Sequence, residues 1–282
     1  ETSTSTLFVQ AGKNALLKAG LRADQMDLLI CVTDTPDFIC PATSARVQHG
    51  LGATKAGFFD LNSSCAGFTI ALNMADCFLR GTDEANYVMI IGGNHYSRFI
   101  SPDDLLGNLI FSDGAGAVIL TKTKHKDRGV LKTYASGDGS LWDYWGVFAG
   151  GSWKGFSKET LDQGFQYLKL LRPYEAGLNI NRWPPAIREI LKRTGWKNEE
   201  VERTYMTQSR RHTIPSICDL FGWPHAISYD TADKYGYLGS ACIPVALDDA
   251  LENGVLKDDQ KLLILTSGVG YSISSATMIW GS

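Results

Sequence analysis

Apolar residues run almost unbroken through 27–33 (DLLICVT) and 87–93 (YVMIIGG). Strands read this way when both faces are covered, as in parallel sheets. Between such runs the apolar positions recur every third or fourth residue, which predicts amphipathic helices. The two periods meet in 58–81 (FFDLNSSCAGFTIALNMADCFLRG). There a strand ends at Asp60-Leu61, a tight turn of small residues follows, and a helix begins at Cys65 with Phe68, Leu72, Ala75 and Leu79 as its apolar stripe. Strand, turn and helix then alternate, predicting an α/β chain of mostly parallel sheets covered by helices.

The pattern also repeats. A shift of 175 residues lays 16–22 (LLKAGLR) on 191–197 (LKRTGWK), Met26-Asp27 on Val201-Glu202, Ala71-Leu72 on Ala246-Leu247 and Ala75 on Ala250. The same shift superposes 87–91 (YVMII) and 262–266 (LLILT). Each copy reads as a helix, a glycine stop, an acidic turn and a strand. One gap-free offset serving several elements, with no Pro/Gly-rich linker, predicts two pseudo-symmetric halves, 1–125 and 126–282, packed tightly together. The chain opens almost directly into a helical pattern, so a preceding segment is expected beyond this sequence.

Composition narrows the class. With 282 residues, 44% apolar and 20% charged, the chain suits a globule of one large or two intimate domains. A net charge of -3 gives no general attraction to nucleic acid or to an anionic membrane. The basic run Arg210-Arg211-His212 has two readings, a landing point for an acidic ligand or carrier protein, or a solvated surface. No apolar stretch approaches the ~18–20 residues of a membrane span, and the opening ETSTSTLF lacks signal-peptide character. The six cysteines (31, 40, 65, 77, 218, 242) lie far apart without metal-ligand spacing, a pattern that fits reduced thiols in the cytoplasm. No nucleotide-type phosphate loop, metal cluster or prosthetic-group motif is evident, so no cofactor is expected.

Cys65 carries the chemistry. A thiol at a helix N-terminus meets unpaired N–H groups and the positive end of the helix dipole, which favour thiolate. Its own amide can point at a bound carbonyl oxygen, supplying half an oxyanion hole. A small apolar side chain filling a turn is the other reading of the same residue.

The string DLNSSCAGF (60–68) resembles the nucleophile turn of the β-ketoacyl-acyl-carrier-protein synthase III family, within the thiolase superfamily. FSDGAGAVIL (111–120), DKYGYLGSACIPVALDDA (233–250) and TSGVGYSISSATMIW (266–280) resemble that family's other signatures in the right order. The resemblance spans nearly the whole chain. It implies the five-layered thiolase fold, α-β-α-β-α, usually as a homodimer. It also implies acyl transfer from a thioester of coenzyme A or of acyl carrier protein onto Cys65. The 268–271 turn falls at the glycine-rich loop that donates a second oxyanion amide, which brings Gly270 and Tyr271 into the expected site.

Two positions depart from the family. The strings MTQSRRHTI (206–214) and KYGYLGSA (234–241) put Thr207 where the family has histidine and Tyr237 where it has asparagine. Both family groups assist decarboxylation of a malonyl thioester. Threonine cannot accept a proton near neutral pH, and tyrosine offers a different donor geometry. Gln208 follows Thr207 in the matching string, and His212 either approaches the pocket or stays on the surface. Cys40 aligns with a position that lines the acyl pocket, often across the dimer interface. His95, in the loop after a buried strand where active sites gather, either faces the site or is structural or peripheral, while Cys31, Cys77, Cys218 and Cys242 read as core fillers. Trp142, Trp145 and Trp153 either cap a substrate tunnel or pack on the core. Three functions follow: a condensing acyltransferase, an acyltransferase to an oxygen or nitrogen acceptor, and a non-catalytic partner subunit.

Overall fold

The apolar runs become the strands of two four-stranded sheets in the computed structural model, which describes residues 2–125 and 127–281. The first half contributes α1 (Thr4–Ala19), β1 (Leu28–Val32), α2 (Thr43–Leu51), β2 (Gly57–Leu61), α3 (Gly67–Gly81), β3 (Tyr87–Asn94), α4 (Leu105–Ile110) and β4 (Gly114–Thr121). Its sheet order is β2-β1-β3-β4, with β4 antiparallel to β3 and the others parallel. The second half holds β5 (Gly129–Gly137), β6 (Trp145–Gly146), α5 (Lys158–Asp162), β7 (Lys169–Leu170), α6 (Leu178–Thr194) and β8 (Arg203–Met206). It continues with α7 (Thr213–Phe221), α8 (Ala232–Tyr235), α9 (Cys242–Glu252), β9 (Lys261–Gly268) and β10 (Ser272–Ile279). Its sheet order is β5-β10-β9-β8, with β8 and β9 parallel and β10 antiparallel to both neighbours.

The internal repeat is visible in this topology. The trio β1-β3-β4 recurs as β8-β9-β10, and β5 adds an outer strand beside β10 that has no counterpart beside β4 among the described residues. Both leading helices stop at a left-handed glycine, Gly20 (φ 64°) and Gly195 (φ 78°), whose N–H groups return to last-turn carbonyls. The acidic turns that follow are single 3-10 turns, Ala23–Gln25 and Asn198–Glu200. The strand match needs one correction. Leu28 pairs with Val88 and Arg203 with Leu262, so the first strands are related by 175 residues but their partners by 174. One residue fewer separates β9 from β8.

Helix α3 packs on β1 and β3 of one sheet and on β9 and β10 of the other, and α9 bridges β4 and β8. Helices α1 and α2 cover the outer face of the first sheet, and α6 with α7 that of the second. This is the five-layered arrangement that the resemblance implies. The strand period of two sorts the core accordingly. Leu28, Ile30 and Val32 face the central helices, whereas Leu29 and Cys31 join the outer cluster with Phe8, Val47 and Met89. In β9, Leu262 and Ile264 face the centre, and Leu263 and Leu265 pack outward with Trp183 and Ile187.

Candidate active site

Cys65 lies in a single 3-10 turn, Ser64–Ala66, between β2 and α3, and α3 begins two residues later at Gly67. The expected helix start at the cysteine is therefore corrected: Ser64 adopts φ 49°, outside the helical region, and the Ala66 N–H closes a three-residue turn on the Ser63 carbonyl at 3.1 Å. Gly67 lets the helix start press on β1, since a Cβ there would stand 2.4 Å from Val32 Cγ1.

The expected depression of the thiol pKa is also corrected. Burial pushes the Cys65 thiol up to about 11, and the charge of Asp34 pushes in the same direction. Residue 65 is only 7% exposed, so lost hydration outweighs the turn's favourable dipoles. Three hydroxyls work the other way, on Tyr237, Ser64 and Tyr96, each of which favours the charged sulfur. Burial holds both tyrosines well above their ordinary value, so they face Sγ as neutral donors. The Ser64 Oγ is 3.7 Å from Sγ and donates to Asp34 Oδ2 at 2.9 Å.

These groups arrive from separate elements. Asp34 follows β1, Tyr96 opens a short 3-10 turn after β3, and Tyr237 precedes a second 3-10 turn, Gly239–Ala241, ahead of α9. Phe111 sits between the tyrosines, with ring centroids 4.5 Å from Tyr96 and 5.6 Å from Tyr237. From β9, Gly268 closes on the nucleophile turn so tightly that a Cβ would lie 2.5 Å from the Ser63 oxygen and 3.1 Å from the Cys65 nitrogen. No oxygen among the described residues accepts from the Cys65, Val269 or Gly270 N–H. A sulfur nucleophile, unspent amides and two neutral hydroxyl donors are what attack on a thioester carbonyl requires.

The other expected residues divide. Tyr237 shares the buried cluster of Cys65, where its hydroxyl favours the charged sulfur. Thr207 is buried at the end of β8, but its Oγ1 accepts the Ser267 N–H at 2.9 Å, which makes it a backbone clamp. Gln208 is buried too, its Oε1 taking the Thr231 N–H at 3.1 Å. In the glycine-rich loop, Tyr271 is corrected as an amide donor: its N–H goes to the Asp138 carbonyl at 3.2 Å and its hydroxyl to Asn179 Oδ1 at 2.7 Å. Gly270 keeps a free N–H among the described residues. His212 is exposed at the start of α7. Cys40 is exposed in the loop before α2. His95 is buried beside Asp113, with Nε2 3.4 Å from Oδ2.

Asp34, Ser64, Tyr96 and Cys242 were not anticipated. Cys242, read as a filler, is buried close enough to Cys65 that the Cys65 sulfur adds to the cost of ionising Cys242, which burial already raises. A signal for Asp34 and Tyr96 did exist, since both follow the carboxyl ends of parallel strands, where sites gather in open α/β sheets. The same signal had pointed to His95, one residue short of Tyr96. Of the tryptophans, Trp142 and Trp153 are exposed, edge to face at 5.3 Å, and Trp145 reaches inward to Phe111 at 5.4 Å.

The chain matches known proteins along most of its length. Residues 59–139 match the 3-oxoacyl-[acyl-carrier-protein] synthase III model, and residues 191–280 match the model of that enzyme's C-terminal part. The β-ketoacyl-[acyl-carrier-protein] synthase III of Syntrophomonas wolfei is 32% identical over 286 residues, covering 100% of this chain and 84% of that protein. The 3-oxopimeloyl-[acyl-carrier-protein] synthase of Rhodothermus marinus is 33% identical, covering 99% and 80%. Among solved structures, the 3-oxoacyl-[acyl-carrier-protein] synthase III from Aquifex aeolicus superposes with a TM-score of 0.87 at 27% identity, covering 99% of this chain and 85% of that one. Fold, turn and sequence converge, and the chain belongs to the 3-oxoacyl-[acyl-carrier-protein] synthase III family of the thiolase superfamily.

Proposed function

We propose that this protein is an acyltransferase that accepts an acyl group from acyl-CoA or acyl carrier protein as a thioester on Cys65, then passes it to a malonyl thioester with loss of carbon dioxide. The observation that carries this reading is the Ser64–Ala66 turn, where the sulfur stands among free amides and neutral hydroxyls. The Cys65 and Gly270 amides receive the thioester oxygen, and the tyrosines cover the opposite side. Halves 1–125 and 126–282 supply the turn and the loop respectively. A homodimer in the cytoplasm, working without a cofactor in fatty acid or polyketide synthesis, is the setting this reading implies, with Cys40 toward the partner.

The test is incubation with acyl-CoA of graded chain length, followed by intact-mass spectrometry. One acyl adduct per chain is expected, and none on Cys65→Ala; no adduct from any donor sinks the reading.

A second reading has its own observation. The Thr207 hydroxyl is committed to the Ser267 amide, and no imidazole replaces the family histidine there. Transfer to an oxygen or nitrogen acceptor, without decarboxylation, would need no such group. Carbon dioxide release from a malonyl thioester separates the two: sustained release supports condensation, and its absence beside normal acylation supports direct transfer.

A further inference from the structure

We propose that Asp34 receives the Cys65 thiol proton through the Ser64 hydroxyl, an inference that rests on the acyl-transfer reading and specifies how its nucleophile is ionised. The Ser64 hydrogen already points at Asp34 Oδ2, 2.9 Å away, which leaves an oxygen lone pair for the thiol at 3.7 Å. The arrangement is a chain of three groups, sulfur, hydroxyl and carboxylate.

The carboxylate is built differently from a structural one. Asp60, one strand away, has its oxygens taken by the Thr43 and Ser44 N–H groups at 2.6 and 2.8 Å, which anchor the start of α2. Asp34 has the Ser64 hydroxyl on Oδ2, while its Oδ1 is sealed from solvent without a hydrogen bond among the described residues. Burial raises its pKa from the ordinary carboxylate value, which brings it nearer to the thiol's and eases transfer.

The backbone tells the same story. Ser64 sits at φ 49°, where glycine rests without strain, and the corresponding residue of the second half is Gly239 at φ 58°. What serine adds at this position is the hydroxyl. Facing the chain from other elements are the Tyr96 and Tyr237 hydroxyls, Tyr174 and the Cys242 thiol, all with pKa raised by burial and so neutral near pH 7. Asp34 is the one carboxylate among them.

In the step, the Cys65 proton passes to Ser64 Oγ as the Ser64 proton passes to Asp34 Oδ2. The freed sulfur bonds to the thioester carbonyl carbon, and the carbon–sulfur bond of the donor breaks. The departing thiolate takes the proton back from Asp34 by the reverse route. Acyl-Cys65, a free thiol and an ionised carboxylate remain.

Single-turnover acylation by acyl-CoA, followed by intact mass from about pH 6 to about pH 9, tests the relay. The wild-type rate is expected to stay flat between the titrations of the carboxyl and the thiol. Asp34→Asn and Ser64→Ala should be roughly tenfold or more slower near pH 7, and their rates should climb about tenfold per pH unit as hydroxide takes over. Asp34→Glu should recover part of the flat profile.

A carboxylate that acted only through its charge would hold the thiol pKa up, so Asp34→Asn would then speed acylation. That result, or a flat wild-type profile retained in both Asp34→Asn and Ser64→Ala, overturns the relay. Should Asp34→Asn fail to fold, Ser64→Ala and Asp34→Glu decide. Should wild type accept no acyl group, the acyl-transfer reading fails by itself, and iodoacetamide alkylation across the same range still reads the relay as flat or sloped.

Discussion

The molecule contains the same turn twice. Ser63–Gly67 and Leu238–Cys242 stand 175 residues apart, each a 3-10 turn leading into a central helix. Their second residues take φ 49° and 58°, and Ala66 and Ala241 match at φ -79° and -83° with ψ -14° in both. Each closes with a 3.1 Å bond, Ala66 to Ser63 and Ala241 to Leu238. Only the side chains part company. Cys65 faces hydroxyls and unspent amides, whereas its counterpart Ser240 donates to the Val32 carbonyl at 3.0 Å and takes the Asn94 amide at 3.2 Å. The same backbone thus leaves its polar groups open in one half and ties the two halves together in the other.

The strongest way to break this contrast is to move the thiol. Cys65→Ala should abolish the acyl adduct in intact-mass spectra, and adding Ser240→Cys should restore none, because that position is enclosed by Val32 and Asn94. Next in size is Gly268→Ala, whose Cβ would meet backbone atoms of the nucleophile turn at 2.5 and 3.1 Å. Displacing one oxyanion amide should slow acylation about 10²-fold, read from single-turnover rates.

The third expectation concerns pH. Cys65 has its pKa raised from 9.0 to about 11, so the unfolded chain loses this proton first and stability drops as pH climbs between those values. Chemical denaturation should show wild type losing about 2 kcal/mol more than Cys65→Ala across that window. A parallel decline in both would locate the effect elsewhere. The smallest effect belongs to the mate: Ser240→Ala should lower unfolding free energy by about 1–2 kcal/mol while acylation per folded molecule stays unchanged. A loss of rate there would erase the division of labour between the turns.

Much of this was legible beforehand. The two sheets could be read because strands covered on both faces have to be apolar throughout, and the repeat because helix stop, acidic turn and strand recur with the same residue types. Cys65 came from the strand-turn-helix pattern and again from the resemblance, Tyr237 from the resemblance alone, and the two share one buried cluster. What escaped was set by tertiary approach. The pKa of Cys65 depends on how much water the second sheet removes and on Asp34, 31 residues earlier. No periodicity reports either quantity. Tyr271 was misjudged as an amide donor because its backbone is claimed by Asp138, far away in sequence. His212 could not be placed from spacing alone, since a turn of one or two residues decides which way a helix start faces.

The shared middle layer has a consequence for any attempt to divide the protein. Helix α3 completes the interior of both sheets, and Ser240 from the second half ties off the end of β1 in the first. Cutting the chain between β4 and β5 would give two fragments, each with one bare sheet face and a helix whose inner surface has lost its neighbour. Such pieces should remain unfolded when produced separately and regain structure only on mixing, as complementary parts of one interior.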